Sequence, residues 1–596
     1  MSCHHSGVRS MIRHILMPIA ALAVPPSAFA GAASVPHAAR TATNDNADAR
    51  LKTLYDAEWT WRMRQFAQVK GENGWTINGD HLPRVDAASQ AARLVYWTDV
   101  LRNLDTIPPT ELSAAEQINY AVFRTSIVAL ANDVRFRGYE MPFNSDSSFW
   151  AHLVPSGGYR TADEYRRYIA RMRDVPRYFD ENITNMRTGL KRGFSVPRAT
   201  LAGRDASIVP FAANDAARNP FMTPFAQMPD TIPAAIRDDL RRQGEVAVRE
   251  AIVPAYEKLL AFIRTEYVPR ARGTLAAEAM PDGKAYYAAQ IREYTTLDLS
   301  AAEIHQIGLQ EVARIDAEMR KVMARSGFKG GFAEFLHFLR TDPQFTAKTP
   351  RELLSYSAYV AKKMDGKLKD AFGLLPRYRF TILPVPDAIA PFWTAGRGGL
   401  EACWMNTYDL PSRPLYNIPA LTLHECSPGH SFQAALALEA PERPDFRRET
   451  YFSGYGEGWG LYTEWLGGKL GIYETPYEEF GQLSYEMWRA ARLVIDTGIH
   501  SQGWSREQAI AYLRDHTALS AHEVATEVDR YISWPGQALA YKLGEMTIRR
   551  LRKEAEEALG ARFDQRPFHD MILALGSVPL PVLEERVRAF IAAGGK

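Results

Sequence analysis

Apolar residues recur at intervals of three and four along most of this chain, which is the period of one face of an α-helix. Four such segments also begin at a residue that commonly caps helices: Ser113, Thr161, Ser300 and Ser505. The third segment spaces Ser300 and Glu303 as a capping box and ends at Gly327. We find no fixed-length repeat of the solenoid kind. The pattern predicts a mainly α-helical protein.

The spacing of apolar residues changes in the middle of the chain. The segments "RYRFTILPVP" (377–386) and "LEACWMNTYDL" (400–410) are rich in alternating β-branched and aromatic residues, which is typical of short strands. Between them, "PFWTAGRGG" is loop-like, and its Gly396-x-Gly398 start fails as a dinucleotide fingerprint because Glu401 replaces the third glycine. We therefore expect a small sheet just before residue 421.

The first thirty residues form a pattern typical of a secretory signal peptide. Arg9 and Arg13 precede the apolar run 15–24, and the small residues before Ala30 fit a cleavage site. Cys3 lies ahead of that run, so we do not expect a lipid-anchored cysteine. Residues 31–48 are small and polar, which predicts a flexible tail. The expected mature protein is thus periplasmic or secreted, with one large domain over residues 49–596.

Charge and hydropathy exclude two classes of partner. Loss of the signal peptide would leave 69 basic and 69 acidic side chains, so nothing favours nucleic acid. No later stretch has about 20 consecutive apolar residues, so we expect no stable membrane insertion. Cys403 and Cys426 would remain. They could form a disulfide in an exported protein, although two cysteines in so long a chain are more often free and buried.

The segment "LTLHECSPGHSFQ" (421–433) carries the strongest chemical signal. A zinc hydrolase needs imidazole and carboxylate ligands together with a base beside them. His424 and Glu425 follow the usual pattern, but the next histidine, His430, comes six residues after His424 rather than four. On a continuous helix the two rings would point about 120° apart. Pro428 removes a helical hydrogen bond and Gly429 tolerates unusual dihedrals, so a bulge at this pair could turn His430 back toward the metal. Alternatively, the two histidines belong to separate helices and bind nothing.

A candidate third ligand lies in "SGYGEGWGLYTEW" (453–465). Glu457 and Glu464 are seven residues apart and so share one face of a helix. Apolar and aromatic residues surround both. Because a buried carboxylate requires a cation or a metal as partner, these residues favour a metal site over a solvated surface.

Four ordered motifs, "HECSPGH", "GEGWGLYTEW", "AARLVIDTGIHSQGW" and "EVDRYISWPGQALAYKLGE", resemble the bacterial family of domain of unknown function 885 (DUF885) over most of the mature chain. That family is grouped with the gluzincin metallopeptidases. The resemblance implies a large helical domain with a deep cleft, and a small sheet beside the metal-binding helix. It also implies that His424, His430 and Glu457 bind one Zn²⁺, that Glu425 is the general base and that Glu464 supports a ligand. The family often has a second histidine where this chain has Ser431.

Amide hydrolysis also needs a hydrogen-bond donor for the developing oxyanion. Helical relatives use tyrosine and histidine, and the matching motifs here contain Tyr541 and His500. We expect these two to be catalytic. An exopeptidase would further need a cation for the substrate carboxylate, for which the candidates are Arg397, Arg530 and Lys542. The strand "EACWMNTYDL" (401–410) could pair with an extended peptide, with Asn406 as its side-chain contact.

These residues together predict an exported zinc-dependent peptidase that acts on short peptides or related amides. One alternative is a non-catalytic periplasmic peptide-binding protein on the same scaffold, which would have no need for Glu425. Another is a serine hydrolase using Ser431 in "GHSFQ", but Gln433 stands where a nucleophile elbow has glycine.

Overall fold

The structure is a computed structural model. It describes residues 41–71, 74–145, 147–155, 158–213, 215–387, 390 and 394–595. The expected signal peptide and residues 31–40 of the expected tail lie outside this range.

Helices make up most of the described chain. They are α1 Thr41–Gln65, α2 Ala87–Leu104, α3 Ala114–Arg135, α4 Ala162–Arg192, α5 Thr223–Ala226, α6 Ala234–Ala247, α7 Val253–Phe262, α8 Val268–Arg270, α9 Gly283–Thr295, α10 Ala301–Arg325, α11 Phe332–Thr341, α12 Pro350–Asp365, α13 Leu368–Ala371, α14 Ile418–Glu425, α15 His430–Glu439, α16 Asp445–Glu449, α17 Ser453–Lys469, α18 Pro476–His500, α19 Arg506–His516, α20 Ala521–Ser533, α21 Ala540–Leu559, α22 Gln565–Ala574 and α23 Leu580–Ala592. Two π-helical turns, 248–252 and 263–267, join α6, α7 and α8. None of the described helices has the length and apolar character needed to cross a bilayer.

The helix starts follow the capping residues that the sequence indicated. The Ser113 hydroxyl accepts a hydrogen bond from the N–H of Glu116, and Thr161, Ser300 and Ser505 each form a complete capping box. Gly327 adopts a φ of 78° just after α10, as expected of a residue that ends a helix. Local side-chain chemistry therefore sets these boundaries.

Part of the segment expected to be a tail is helical. Residues 41–48 belong to α1, where Ala47 is buried and the Asp48 carboxylate accepts a hydrogen bond from the N–H of Ser113. Leu51 and Tyr55 continue the buried face of the same helix. Burial of this face against the core stabilises a segment whose own composition is weakly helical.

The described strands form two small sheets. β1 (Gln68–Gly71) and β2 (Gly74–Asn78) form an antiparallel hairpin. The second sheet has the order β3, β5, β4, where β3 is Thr381–Pro384, β4 is Gly396–Arg397 and β5 is Ala402–Met405. β3 is parallel to β5, and β4 is antiparallel to it.

This order changes two expectations. The predicted loop 391–399 contains strand β4. The strand we expected to pair with substrate, β5, is central and already bonded on both sides, so it has no free edge for a peptide. A disulfide between Cys403 of β5 and Cys426, just after α14, ties the sheet to the helix that carries His424.

Glycines allow α17 to approach α21 closely. A Cβ on Gly544 would lie 1.9 Å from the carbonyl oxygen of Gly454, and one on Gly458 would lie 2.6 Å from the Cα of Gly544. The backbones are therefore in contact, which no larger side chain would permit. This contact positions the helix that carries Glu457.

We predict that Gly544→Ala destabilises the fold, because the added methyl overlaps backbone atoms rather than a flexible side chain. Overpacking of this kind costs about 1–3 kcal/mol. Gly468→Ala on α17 is a matched control, since its Cβ would meet only the Tyr473 ring at an ordinary 3.8 Å. Thermal and urea unfolding of both variants should show a loss for the first and no loss for the second; equal midpoints would contradict the role of the glycine contact.

Candidate metal centre

The helix is interrupted between the two histidines of the 421–433 segment. α14 ends at Glu425 and α15 begins at His430, so His430 starts a second helix rather than following a bulge within one. The Ser427–Pro428 peptide is cis, and the Trp459 indole N–H donates to the carbonyl oxygen of Pro428 at 2.9 Å. A Cβ on Gly429 would lie 1.9 Å from the carbonyl oxygen of His424. The tight turn requires glycine there.

The turn orients the imidazole ring of His430 toward that of His424. Their ring centroids are 4.9 Å apart with planes at 82°. The Nε2 atoms of His424 and His430 each lie 3.5 Å from Oε2 of Glu457, and one ligand atom from each of the three residues falls within 4.8 Å of the others. His424 Nε2 and Glu457 Oε2 are buried without a hydrogen-bond partner. A buried imidazole nitrogen and a buried carboxylate oxygen that make no hydrogen bond are suited to bind a small cation between them.

Glu464 holds the other side of His424. Its Oε1 accepts a hydrogen bond from Nδ1 of His424 at 2.7 Å, and the Arg489 guanidinium lies 3.4 Å from the same oxygen. With the proton on Nδ1, the lone pair of Nε2 points toward Glu457. This carboxylate–imidazole arrangement is the one that commonly orients metal-bound histidines.

The carboxylates make the centre attract positive charge. Burial alone would lower the pKa of His424, but contacts with Glu457 and Glu464 outweigh burial and raise it to about 9. Burial would raise the pKa of Glu457, yet His424 and His430 hold it well below its usual value. The protein thus favours an additional cation, whether protons or a metal ion, among these groups.

Glu425 has one anchored and one unpartnered oxygen. The N–H of Gly398 donates to its Oε2 at 2.8 Å, while its buried Oε1 makes no hydrogen bond. Burial opposes ionisation, but the charges of His424 and His430 lower the pKa of Glu425 overall. An ionised carboxylate held beside a ligand in this way can accept a proton from water.

Ser431 is part of the turn rather than of the ligand group. Its hydroxyl donates to the carbonyl oxygen of Glu425 at 3.1 Å and accepts from the N–H of Gly399 at 3.2 Å. His430, not position 431, faces Glu457. Both of these partners of the hydroxyl are backbone groups, whereas a serine nucleophile needs an adjacent base.

Comparison with known proteins gives the family. The family described as "Bacterial protein of unknown function (DUF885)" matches residues 68–587. The chain belongs to this family. No curated protein matches the sequence significantly.

Two solved structures share the fold. A protein from Colwellia psychrerythraea, described as a putative lipoprotein, is 25% identical with a TM-score of 0.83; the match covers 92% of this chain and 99% of that one. One from Shewanella oneidensis, described as a putative lipoprotein of unknown function, is 17% identical with a TM-score of 0.63, covering 90% and 98%. The large helical architecture of this DUF885 chain is therefore shared with both solved structures.

Tyr541 of this DUF885 chain lies one helical turn before Gly544, whose backbone contacts Gly458, the residue after Glu457. Its hydroxyl oxygen accepts a hydrogen bond from Arg530 at 3.2 Å, which leaves its own O–H able to donate. Burial, followed by the charge of Glu457, raises the pKa of Tyr541 to about 12. The phenol therefore remains protonated at neutral pH, as an oxyanion donor must.

His500 is not placed with these residues. Its Nδ1 accepts from the N–H of Ala277 at 3.1 Å, and its Nε2 donates to the carbonyl oxygen of Tyr531 at 2.8 Å. Both ring nitrogens are thus used by backbone groups, and neither is available to a substrate. The residue joins two segments of the core, and this geometry gives no support to the expected catalytic role of His500.

The remaining residues that the sequence suggested for substrate binding form different hydrogen bonds and ion pairs in the structure. Lys542 is fully buried among Glu486, Glu545 and Glu311, at 2.7, 2.8 and 3.0 Å, so its three N–H groups are occupied. Asn406 donates to the carbonyl oxygen of Ala390 and accepts from the N–H of Tyr408, which makes it a loop residue. Arg530 pairs with Glu527 at 3.2 Å and contacts Tyr541. Arg397 lies on β4, next to Gly398.

Two supporting residues escaped the sequence analysis. Gly398 was dismissed together with the failed dinucleotide pattern, although a glycine-rich run before a strand is itself a signal of close backbone approach. A Cβ there would lie 2.1 Å from the carbonyl oxygen of Glu425 and 2.7 Å from the Cβ of His430. Arg489 gave no signal, because its partner Glu464 lies on a different helix.

We predict that His500→Gln reduces the sensitivity of folding to acid. Burial lowers the pKa of His500 to about 3, whereas its ordinary value is 6.5. Between these values the unfolded chain binds a proton that the folded one does not, so stability falls as pH falls below about 6.5, by up to about 1.4 kcal/mol per pH unit. Glutamine keeps one donor and one acceptor but does not titrate.

The measurement is urea unfolding of both proteins at pH 7.5, 5.5 and 4.5. The stability of His500→Gln relative to wild type should improve as the pH falls. A constant difference across the three pH values would show that the folded-state pKa of His500 is not depressed.

Proposed function

We propose that this protein is an exported, zinc-dependent peptidase that hydrolyses short peptides or related amides. The observation that carries the proposal is the convergence of His424, His430 and Glu457 beside the unpartnered oxygen of Glu425. A site for metal storage or structure would need the three ligands but no adjacent base. The His430 side chain is 17% exposed, whereas those of His424 and Glu457 are at most 2% exposed, so access is narrow. Narrow access favours short, unfolded substrates.

His424, His430 and Glu457 would hold Zn²⁺, which supplies Lewis acidity for polarising a carbonyl group and acidifying water. Oε1 of Glu425 would then accept a proton from the attacking water and pass it to the leaving nitrogen. Gly398 keeps the carboxylate in place through Oε2. The O–H of Tyr541 would donate to the substrate oxygen as negative charge develops there. Glu464 and Arg489 would fix the orientation of His424 throughout.

Two finer assignments belong to the same proposal. The grouping with gluzincin peptidases is supported by the His-Glu segment followed by a carboxylate on the next long helix. The periplasmic location is supported by the signal-peptide pattern of residues 1–30 and by the fold shared with proteins described as lipoproteins. A non-catalytic peptide-binding protein is the main competitor, and the geometry of Glu425 favours the enzyme over it.

Metal content distinguishes the roles of the two glutamates on α17, of which we predict that only Glu457 is a ligand. Glu457→Ala removes a ligand and should leave the purified protein with well under one zinc per chain. Glu464→Ala removes only the hydrogen bond to His424, so saturating zinc should still fill the site, with affinity or activity lowered about 10- to 100-fold. Metal content by mass spectrometry after dialysis checks both. The reverse order would mean that Glu464, rather than Glu457, is the ligand.

The second prediction tests the base. Glu425→Gln preserves size and the oxygen that accepts from Gly398, so zinc content and the thermal midpoint should be retained. Loss of the proton acceptor should lower peptide turnover about 10²- to 10⁴-fold. Glu401→Gln, an exposed residue close in sequence, is the matched control and should keep full activity.

Peptide cleavage is followed by mass spectrometry on a mixed peptide library with zinc-loaded protein. Full activity in zinc-loaded Glu425→Gln would contradict the mechanism. No cleavage by the zinc-loaded wild-type protein would instead favour the peptide-binding alternative.

A further inference from the structure

Helix α18 carries two fully buried arginines one turn apart, Arg489 and Arg492. Arg489 supports the metal centre through Glu464. Arg492 lies with its guanidinium carbon 4.4 Å from the ring centroids of both Trp488 and Tyr541. Tyr541 lies on the turn of α21 that leads into the Gly544–Gly458 contact next to Glu457, so Arg492 packs behind a residue close to the ligand group.

The hydrogen bonds of Arg492 are incomplete. Its Nε donates to the hydroxyl of Tyr531 at 3.0 Å, and one terminal nitrogen donates to Glu527 at 2.9 Å. The other terminal nitrogen is buried and has no acceptor within the part of the chain that the structure describes. A charged donor buried without an acceptor is costly to the folded protein, which makes it a position where an acceptor from outside would bind favourably.

A second donor without a partner lies next to the same tyrosine. The Gln537 side chain uses its oxygen to accept from Arg530, while its buried Nε2 lies beside the Tyr541 hydroxyl and meets no acceptor in hydrogen-bonding geometry among the described residues. Arg530 also donates to the hydroxyl of Tyr541, so one guanidinium holds both side chains side by side. Arg492 and Gln537 together form a group of donors next to Tyr541.

The two arginines near Gln537 pair with the same carboxylate, so their positive charge exceeds the negative charge of that partner. Arg492 and Arg530 both pair with Glu527, at 2.9 and 3.2 Å. A carboxylate would supply both the charge and the acceptor atoms that this donor group lacks, and guanidinium groups bind carboxylates more tightly than they bind neutral acceptors.

We propose that Arg492 and Gln537 bind the C-terminal carboxylate of the peptide substrate, so that the enzyme cleaves close to a free C-terminus. This inference rests on the proposed peptidase function and narrows it to an exopeptidase. The donor atoms lie beneath the surface, so binding requires the surrounding side chains to separate as the peptide enters.

The first test compares peptides rather than variants and so does not depend on refolding. An N-acetylated alanine tripeptide is used as the free acid, as the C-terminal amide, and as an amide in which the last residue is aspartate. Binding to metal-free wild-type protein is measured by calorimetry, and cleavage by zinc-loaded protein is followed by mass spectrometry. The free acid should bind and be cleaved about 10- to 100-fold better than its amide, as expected for a charge-assisted hydrogen bond.

The second test uses Gln537→Glu, which places a carboxylate inside the donor group. The introduced charge should compete with the substrate carboxylate, weakening free-acid binding at least about tenfold while raising or preserving the thermal midpoint. Gln502→Glu, the same change at an exposed position, should alter neither the acid-to-amide ratio nor the midpoint.

The outcomes are distinct. Equal binding of the free acid and its amide would overturn the inference, and so would an aspartyl amide that binds as tightly as the free acid, since the site would then recognise acidic side chains. Cleavage without preference for the free acid would leave the peptidase proposal standing and this inference refuted. Preferential binding of the acid without any cleavage would support the carboxylate site and refute the peptidase proposal.

Discussion

The imidazole of His424 lies against the backbone of α17, and the rest of the centre depends on this contact. Gly460 lies directly under the ring, where a Cβ would come within 2.7 Å of Cε1 and Nε2. Glu457 and Glu464 lie on the same face of the helix, three residues before and four after Gly460. One imidazole is thereby held between two carboxylates, one at each nitrogen. A larger residue at position 460 would separate the helices and lose both interactions at once.

The contact places several charges where water does not reach, and the surrounding helices supply their partners. Arg489 of α18 meets Glu464, and Lys542 of α21 joins Glu486 of α18 to Glu311 of α10. Buried ion pairs contribute little net stability, but loss of either partner leaves an uncompensated charge. They therefore restrict the helices to one relative arrangement. The glycine contact between α17 and α21 and the disulfide between the sheet and α14 restrict them further.

The sequence predicted well whatever depends on neighbours along the chain. Helix starts at Thr161, Ser300 and Ser505 follow from capping residues three positions apart, and Pro428-Gly429 breaks the helix because of its own backbone chemistry. The same reasoning could not identify the partners of residues that are bonded to distant parts of the chain. His500 resembled a catalytic donor but bonds to Ala277 and Tyr531, and Lys542 resembled a substrate-binding cation but is enclosed by three carboxylates. Strand β5 was recognised as a strand, but pairing on both edges was not visible in its alternation.

By itself, the sequence determined that the protein is mainly helical, that a small sheet precedes the His-Glu segment and that two histidines and two glutamates are candidates for one centre. These features arise from local periodicity, capping and residue type, which act within a few residues. Only the tertiary structure decided that His430 rather than position 431 faces Glu457, that Gly398 holds Glu425, and that Cys403 meets Cys426. Each of these is set by how closely separate backbones approach, and that distance depends on the packing of the whole chain.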